Sequence, residues 1–270
     1  MDTIWISQVI IGVVLALLGV YVFKRYPFEL STKTMVQVAL LMVIAVLLGS
    51  WFKLDLPLLG PNSFEIKFDT LPIMFIGILF GPGWGFIAGF MVDMIQLLLA
   101  PTAFPFLGFT FNLVLTGVVA GITFKQPKPS NLNLYTRFTQ SIVLIMLVIS
   151  VGLVIFVDQF RVSGEMIQLE FWTKLLVSIG LMIVGILLVI IVEKTKDSTF
   201  SSRYMRVVIL CEIVIQMILT SLWLTILFNI PFWLSLIPRV IEGIFMILIL
   251  HGVGLMLAKG VFNQELFKNN

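Results

Sequence analysis

The sequence predicts an all-α fold, a polytopic bundle of membrane helices, and three observations predict it. First, of 270 residues 60% are hydrophobic and only 11% are charged, with a mean hydropathy of +1.12. A soluble domain carries roughly 25% charged residues, so the charges here are too few to cover a water-facing surface and the bilayer must be the solvent for most of the chain. Second, the apolar residues gather into nine runs, near 4–23, 35–52, 66–81, 84–100, 106–124, 138–157, 175–192, 207–228 and 236–258. Most are roughly 17–23 residues long, and a ~30 Å hydrocarbon core needs about 20. Third, the basic residues between the runs are asymmetric. With the connection after the first run placed inside, twelve fall on the cytoplasmic side (Lys24, Arg25, Lys33, Lys125, Lys128, Arg137, Lys194, Lys196, Arg203, Arg206, Lys259 and Lys268) and four outside (Lys53, Lys67, Arg161 and Lys174), with Arg239 near a helix start. Such a split predicts N-terminus outside, C-terminus cytoplasmic, multi-pass in the cell membrane.

Taken in order, the first run follows Asp2 where a signal peptide would carry positive charge, lacks a small-x-small cleavage site and ends on Lys24-Arg25, so it is expected to be a retained helix. The stretch from 66 to 124 is rich in glycine, proline and aromatics. Gly77, Gly81, Gly85 and Gly89 recur every four residues, Gly117 and Gly121 repeat the spacing, and Pro82 must break the helix, which predicts two short helices with a tight turn and small-residue stripes. Such stripes serve ordinary helix packing, and short Gly/Pro-interrupted segments also mark transporter binding regions. The runs at 138–157 and 175–192 are plain Leu/Ile/Val, suited to lipid, and are joined by a loop holding Asp158, Arg161, Glu165 and Glu170.

Several function classes are excluded or disfavoured. One cysteine, Cys211, permits no disulfide within the chain, and with His251 the only histidine a Cys/His metal site is not expected. A net charge of +3, scattered as short clusters, is not a nucleic-acid footprint. No nucleophile elbow, His-Glu-x-x-His or phosphate-cradling loop occurs, so neither enzymatic activity nor a cofactor is expected, and uphill movement of a solute would need energy from a partner.

Five ionisable residues lie within apolar runs: Asp93, Glu212, Arg239, Glu242 and His251. A charge at membrane depth costs a few kcal/mol and is normally paired or faces a cavity. Arg239 follows Pro238 and is three residues from Glu242, on one helical face. It is placed to meet an anionic ligand, to snorkel, or to pair with Glu242 or Asp93. Glu212 and His251 read as structural polar contacts. Aromatics gather at the expected outer ends, among them Trp51, Phe64, Phe68, Phe104, Phe106, Trp223, Phe228, Phe232 and Trp233. They suit either an interfacial belt or a stacking surface for a flat ligand.

The run Leu71-Pro-Ile…Gly-Ile-Leu-Phe-Gly-Pro…Gly-Phe…Gly-Phe…Asp93 resembles the second and third helices of the substrate-binding S components of energy-coupling-factor (ECF) vitamin transporters, folate-type branch above all. Phe106-Leu-Gly-Phe-Thr…Leu-Thr-Gly-Val-Val-Ala-Gly121 is similar to that branch's fourth helix, with Leu107 where proline is usual. Leu222-Trp-Leu…Pro231-Phe…Pro238-Arg239 is similar to its fifth and sixth. The first family helix usually carries a small-x-x-x-small motif, whereas here Ala39 is followed at i+4 by Val43.

The resemblance implies a six-helix S-component-like core plus about three extra helices. The parts would be an extra N-terminal helix (1–30), four core helices (31–126), an inserted pair (127–203), and the last two core helices with a cytoplasmic C-terminus (204–270). It implies capture of a vitamin or related micronutrient, most readily a folate-like one, with docking on a membrane coupling subunit driven by two cytoplasmic ATPase subunits. Arg239, Asp93, Trp51, Phe68, Phe104, Trp223 and Trp233 are the expected substrate-binding residues, and Ala39, Ala45, Gly81, Pro82 and Gly85 the expected docking residues. The alternatives are a binding or scaffold protein on the same fold without transport of its own, or an importer of a different small-molecule nutrient.

Overall fold

The computed structural model describes residues 2–27, 30–52, 54–56, 64–99, 105–125, 132–156, 159–162, 165–168, 171–195, 199–229 and 231–260. Its helices are α1 (Asp2–Arg25), α2 (Thr32–Trp51), α3 (Thr70–Phe80), α4 (Pro82–Leu99), α5 (Leu107–Lys125), α6 (Leu132–Phe156), α7 (Phe171–Thr195), α8 (Thr199–Leu210), α9 (Thr220–Phe228) and α10 (Phe232–Gly260). Between α8 and α9 the chain is π-helical over Cys211–Leu219, so the run expected at 207–228 is one apolar helix from Phe200 to Phe228. Six of the described helices are long and apolar enough to cross a membrane. Short strands pair in two places, β1 (Leu54–Leu56) with β2 (Phe64–Ile66) and, antiparallel, β3 (Gln159–Val162) with β4 (Glu165–Gln168).

The helix expected at 66–81 begins at Thr70 instead, because 64–66 pairs as a strand and Lys67 keeps a charge ahead of the first turn. At 11 residues α3 spans about 16 Å, using 1.5 Å per residue, too little to cross a bilayer by itself. Every residue from Thr70 to Ile78 is buried, so α3 is a core element of protein, not a lipid-facing one. It ends at Gly81, whose φ of 99° is a left-handed conformation that glycine adopts without a Cβ clash. Pro82, with no N–H to satisfy, then opens α4.

The chain divides into two compact units. The first comprises 1–54, 66–126 and 213–232 and therefore holds α1 to α5 and α9. Its seam is glycine on glycine. A Cβ at Gly85 would lie 2.5 Å from the Gly117 carbonyl carbon and 2.9 Å from its Cα, and one at Gly121 would lie 2.7 Å from Pro82 N and 2.8 Å from Gly77 O. Such distances let α3, α4 and α5 touch backbone to backbone, which only small residues allow. α1 lies on this unit through Val22, Leu15 and Leu18, which pack with Phe86, Phe90, Val114 and Val118.

The second unit comprises 55–65, 127–212 and 233–270. Here α6 and α7 run antiparallel, since Gln140 near the start of α6 donates to Glu193 near the end of α7 at 3.1 Å, and Lys174 near the start of α7 donates to the Ile155 carbonyl near the end of α6 at 3.2 Å. α8 and α10 meet through Tyr204, whose hydroxyl donates to the Leu250 carbonyl at 3.0 Å and whose ring stacks on His251. Ser201 Oγ lies 3.3 Å from His251 Nε2. His251 is thus a structural contact, as expected from its inward position.

Candidate functional site

At one end of the first unit the elements α1, α3 and α5 begin and α2, α4 and α9 finish. Polar side chains gather there against an otherwise apolar bundle. Asp69, just before α3, is buried and accepts a hydrogen bond at 3.1 Å from Gln96 Nε2, one turn from the end of α4. Gly49 on α2 makes room for that pair, since a Cβ there would lie 2.7 Å from Asp69 Oδ2. Asp93, one turn earlier on α4, is 7% exposed and accepts a 2.5 Å hydrogen bond from Thr110 Oγ1 near the start of α5. Lys67 and Asp69 are charged groups whose fields reach Asp93.

A second set lies between α5 and α9. Asn112 donates from Nδ2 to Thr220 Oγ1 at 2.9 Å and accepts at Oδ1 from Trp223 Nε1, also at 2.9 Å. Both ends of the amide are used, so the indole is held in one orientation. Phe106 and Phe111 stand edge-on to the Trp223 ring, with centroids 5.9 Å and 6.4 Å away. Thr220 also reaches back five residues to the Ile215 carbonyl at 3.3 Å, bracing the π-helical turn that carries it. From α1, Gln8 donates to the Pro105 carbonyl and accepts from Leu107 N, both at 2.9 Å.

The expected binding residues are dispersed. Asp93 and Trp223 belong to the sets just described, and Phe68 is half-buried beside Asp69. Trp51 is 78% exposed at the end of α2, as an interfacial tryptophan would be. Arg239 is buried in the second unit, where Nη1 lies 3.5 Å from the Ser235 carbonyl, one turn earlier on α10. Burial at 9% exposure disfavours simple snorkelling. Phe104 lies outside the described residues, and Trp233 falls within α10 with its side chain outside them.

Of the expected docking residues, Ala45, Gly81, Pro82 and Gly85 are buried and only Ala39 is exposed. The stripe around Gly85 is occupied from within by Gly117. Sequence reading singled out neither Gln8, Asp69, Gln96, Asn112 nor Thr220. Their signal was present, as polar residues within or beside apolar runs, but nothing local says which of them meet. Among the described residues no group of three or more His, Cys, Asp or Glu could hold a metal ion.

A family model described as ECF transporter, substrate-specific component, matches residues 33–263. The chain belongs to that family. The match runs from α2 through α10, so α1 precedes the matched part of this S component. Among solved structures, the crystal structure of FolT bound with folic acid superposes with a TM-score of 0.51 at 19% identity, covering 84% of this chain and 93% of that one. At that identity the likeness is one of fold. No curated protein sequence matches the chain significantly.

Proposed function

We propose that this S component captures a folate-like vitamin at the end of the first unit where Asp69, Asp93 and Trp223 lie, and hands it to an ECF coupling subunit with two ATPase subunits. The observation that carries the reading is the set of three hydrogen-bonded polar pairs, Asp69–Gln96, Asp93–Thr110 and Asn112–Trp223, at one end of an apolar bundle. Polar groups at membrane depth are retained where they face a cavity or a partner, because each costs a few kcal/mol otherwise. The chemistry also fits a pterin. Its amino-pyrimidine edge offers two adjacent donors, which a carboxylate such as Asp93 or Asp69 accepts, and its flat ring suits stacking on Trp or Phe. FolT, a fold neighbour, is bound with folic acid.

Arg239 is the cation proposed for the ligand's carboxylates. The N-terminus is proposed outside, which puts this end of the unit on the outer face and the C-terminus in the cytoplasm. The docking face is proposed on α2 around Ala39, beside the exposed Val36, Leu40 and Val43. The test is folic acid titration into the purified full chain, followed by uptake in vesicles with and without the coupling and ATPase subunits. Tight binding with uptake only in the complete assembly is the expected result. No folate binding would end this ligand assignment. A binding protein that does not couple is the second reading, favoured by the inward-facing Gly81, Pro82 and Gly85, and tight binding without uptake in the complete assembly would select it.

A further inference from the structure

We propose that Gln8 is a positioning residue, through which α1 holds the start of α5 and with it the aromatic wall beside Trp223. A helix start leaves its first amides without partners inside the helix. At α5 the preceding residue is Phe106, which has no capping oxygen in its side chain and whose carbonyl accepts the Phe109 amide at 3.1 Å. The Leu107 amide instead goes to Gln8 Oε1, and Gln8 Nε2 goes to the Pro105 carbonyl. One side chain thus satisfies a donor and an acceptor on the two sides of Phe106, from 97 and 99 residues away. A glutamine in an apolar helix is unfavourable in lipid unless its amide is satisfied, and here both ends are used.

Leu107 and Gln8 depend on each other. A proline at 107 would be well suited to a first helical position and would bring no N–H, so Gln8 Oε1 would lose its donor. With leucine there, an amide needs an acceptor, and α1 supplies it. Ile11, nearly one turn further along α1, is buried and packs with Phe106 and Trp223. A Cβ at Gly108 would lie 2.8 Å from the Trp223 ring and closer still to the Phe106 ring, so this corner has little slack. α1 therefore sets both the backbone path at 105–107 and the ring packing above it. The effect on ligand release rests on the folate reading; the effect on the α5 start does not.

The experiment compares wild type, Gln8→Met, Gln8→Glu, Leu107→Pro and the Gln8→Met/Leu107→Pro pair as full-length protein in detergent. Two quantities are read: hydrogen exchange over 105–112 without ligand, and the dissociation rate of folic acid. Gln8→Met should speed exchange at the Leu107 amide and folic acid release by about tenfold each, the scale of losing a hydrogen bond and stranding its partner. Gln8→Glu, which keeps the acceptor, should retain protection at Leu107, and it carries the test if Gln8→Met is not recovered folded. Leu107→Pro strands Gln8 Oε1 and should also speed release, and adding Gln8→Met to it should change release by less than about threefold further. Unchanged exchange in Gln8→Met, or effects that simply multiply in the double variant, would overturn the proposal. A wild type indifferent to folic acid would end the folate reading, and the exchange arm would then decide the positioning role alone.

Discussion

The α3–α4–α5 seam and the α6–α7 hairpin use the same residue to opposite ends. In the seam, glycines at 77, 85, 89, 117 and 121 stand where a Cβ would strike another helix's backbone. In the hairpin, Gly152 and Gly180 meet nothing within 4 Å among the described residues, and Gly185 meets the flexible end of Leu147. Both regions are apolar, and both carry glycine within helices. The first is an interior in which backbones touch and polar pairs are anchored at fixed points. The second has many exposed Leu, Ile and Val residues, which suit a lipid surroundings. A glycine in a membrane helix is therefore informative only when its neighbour is known.

The largest expected effect breaks the seam. Gly85→Leu should not yield a stable fold, because the new side chain meets the Gly117 backbone, which cannot give way as a flexible side chain could. Thermal unfolding should show a loss of several kcal/mol or no recoverable protein, while Gly152→Leu in the hairpin should unfold like wild type. Equal tolerance at both positions would mean that the seam is not close-packed. It follows that Gly85→Leu should damage ligand binding together with partner docking, not docking alone.

Next in size is the cation. Arg239→Ala should weaken folic acid binding by about tenfold to several hundredfold, from a charge-assisted hydrogen bond of roughly 1.5–3 kcal/mol. Arg239→Lys should also lose affinity, since a point charge does not reproduce a bidentate fork. Lys174→Ala, in the hairpin, should leave affinity unchanged. Titration of the three variants checks this, and equal affinities would remove Arg239 from the site.

A smaller effect is expected at Thr110. Thr110→Val removes the donor that holds Asp93 and should lower affinity by about tenfold with the fold retained. Calorimetric titration against wild type is the measurement, and an unchanged affinity would make Asp93–Thr110 a packing contact. The smallest effect is in the hairpin. Gly152→Ala and Gly180→Ala should each add up to about 1 kcal/mol of stability, read as a slightly higher unfolding temperature, because glycine is the poorer helix former and the space is open. A loss of stability there would show that the hairpin is packed against something as closely as the seam is.

Much of this was legible in the sequence. The nine hydropathy runs anticipated the helices, with α8 and α9 as one run from 207 although α8 begins at Thr199, since a segment in lipid must satisfy its own backbone. The four-residue glycine spacing anticipated a close seam, and Pro82 the break before α4. Asp93 and Trp223 stand out in the sequence as polar or aromatic residues of apolar runs and lie in hydrogen-bonded pairs, and their contact with a ligand is a proposal. The boundary at α3 was less legible, because Phe64–Ile66 is apolar enough to pass for helix and its strand pairing depends on a partner at Leu54–Leu56.

The solvent, the helix order and the family could be read along the chain, because they follow from composition, periodicity and short motifs. Packing in three dimensions was needed to see that the glycine stripe meets α5, that Asp69 finds Gln96 under Gly49, and that Gln8 closes the start of α5. Every one of these joins groups on different helices. Helical periodicity puts a side chain on a face, but which neighbour that face meets is set by packing many elements at once, and a glutamine in an apolar run looks the same whichever amide it satisfies.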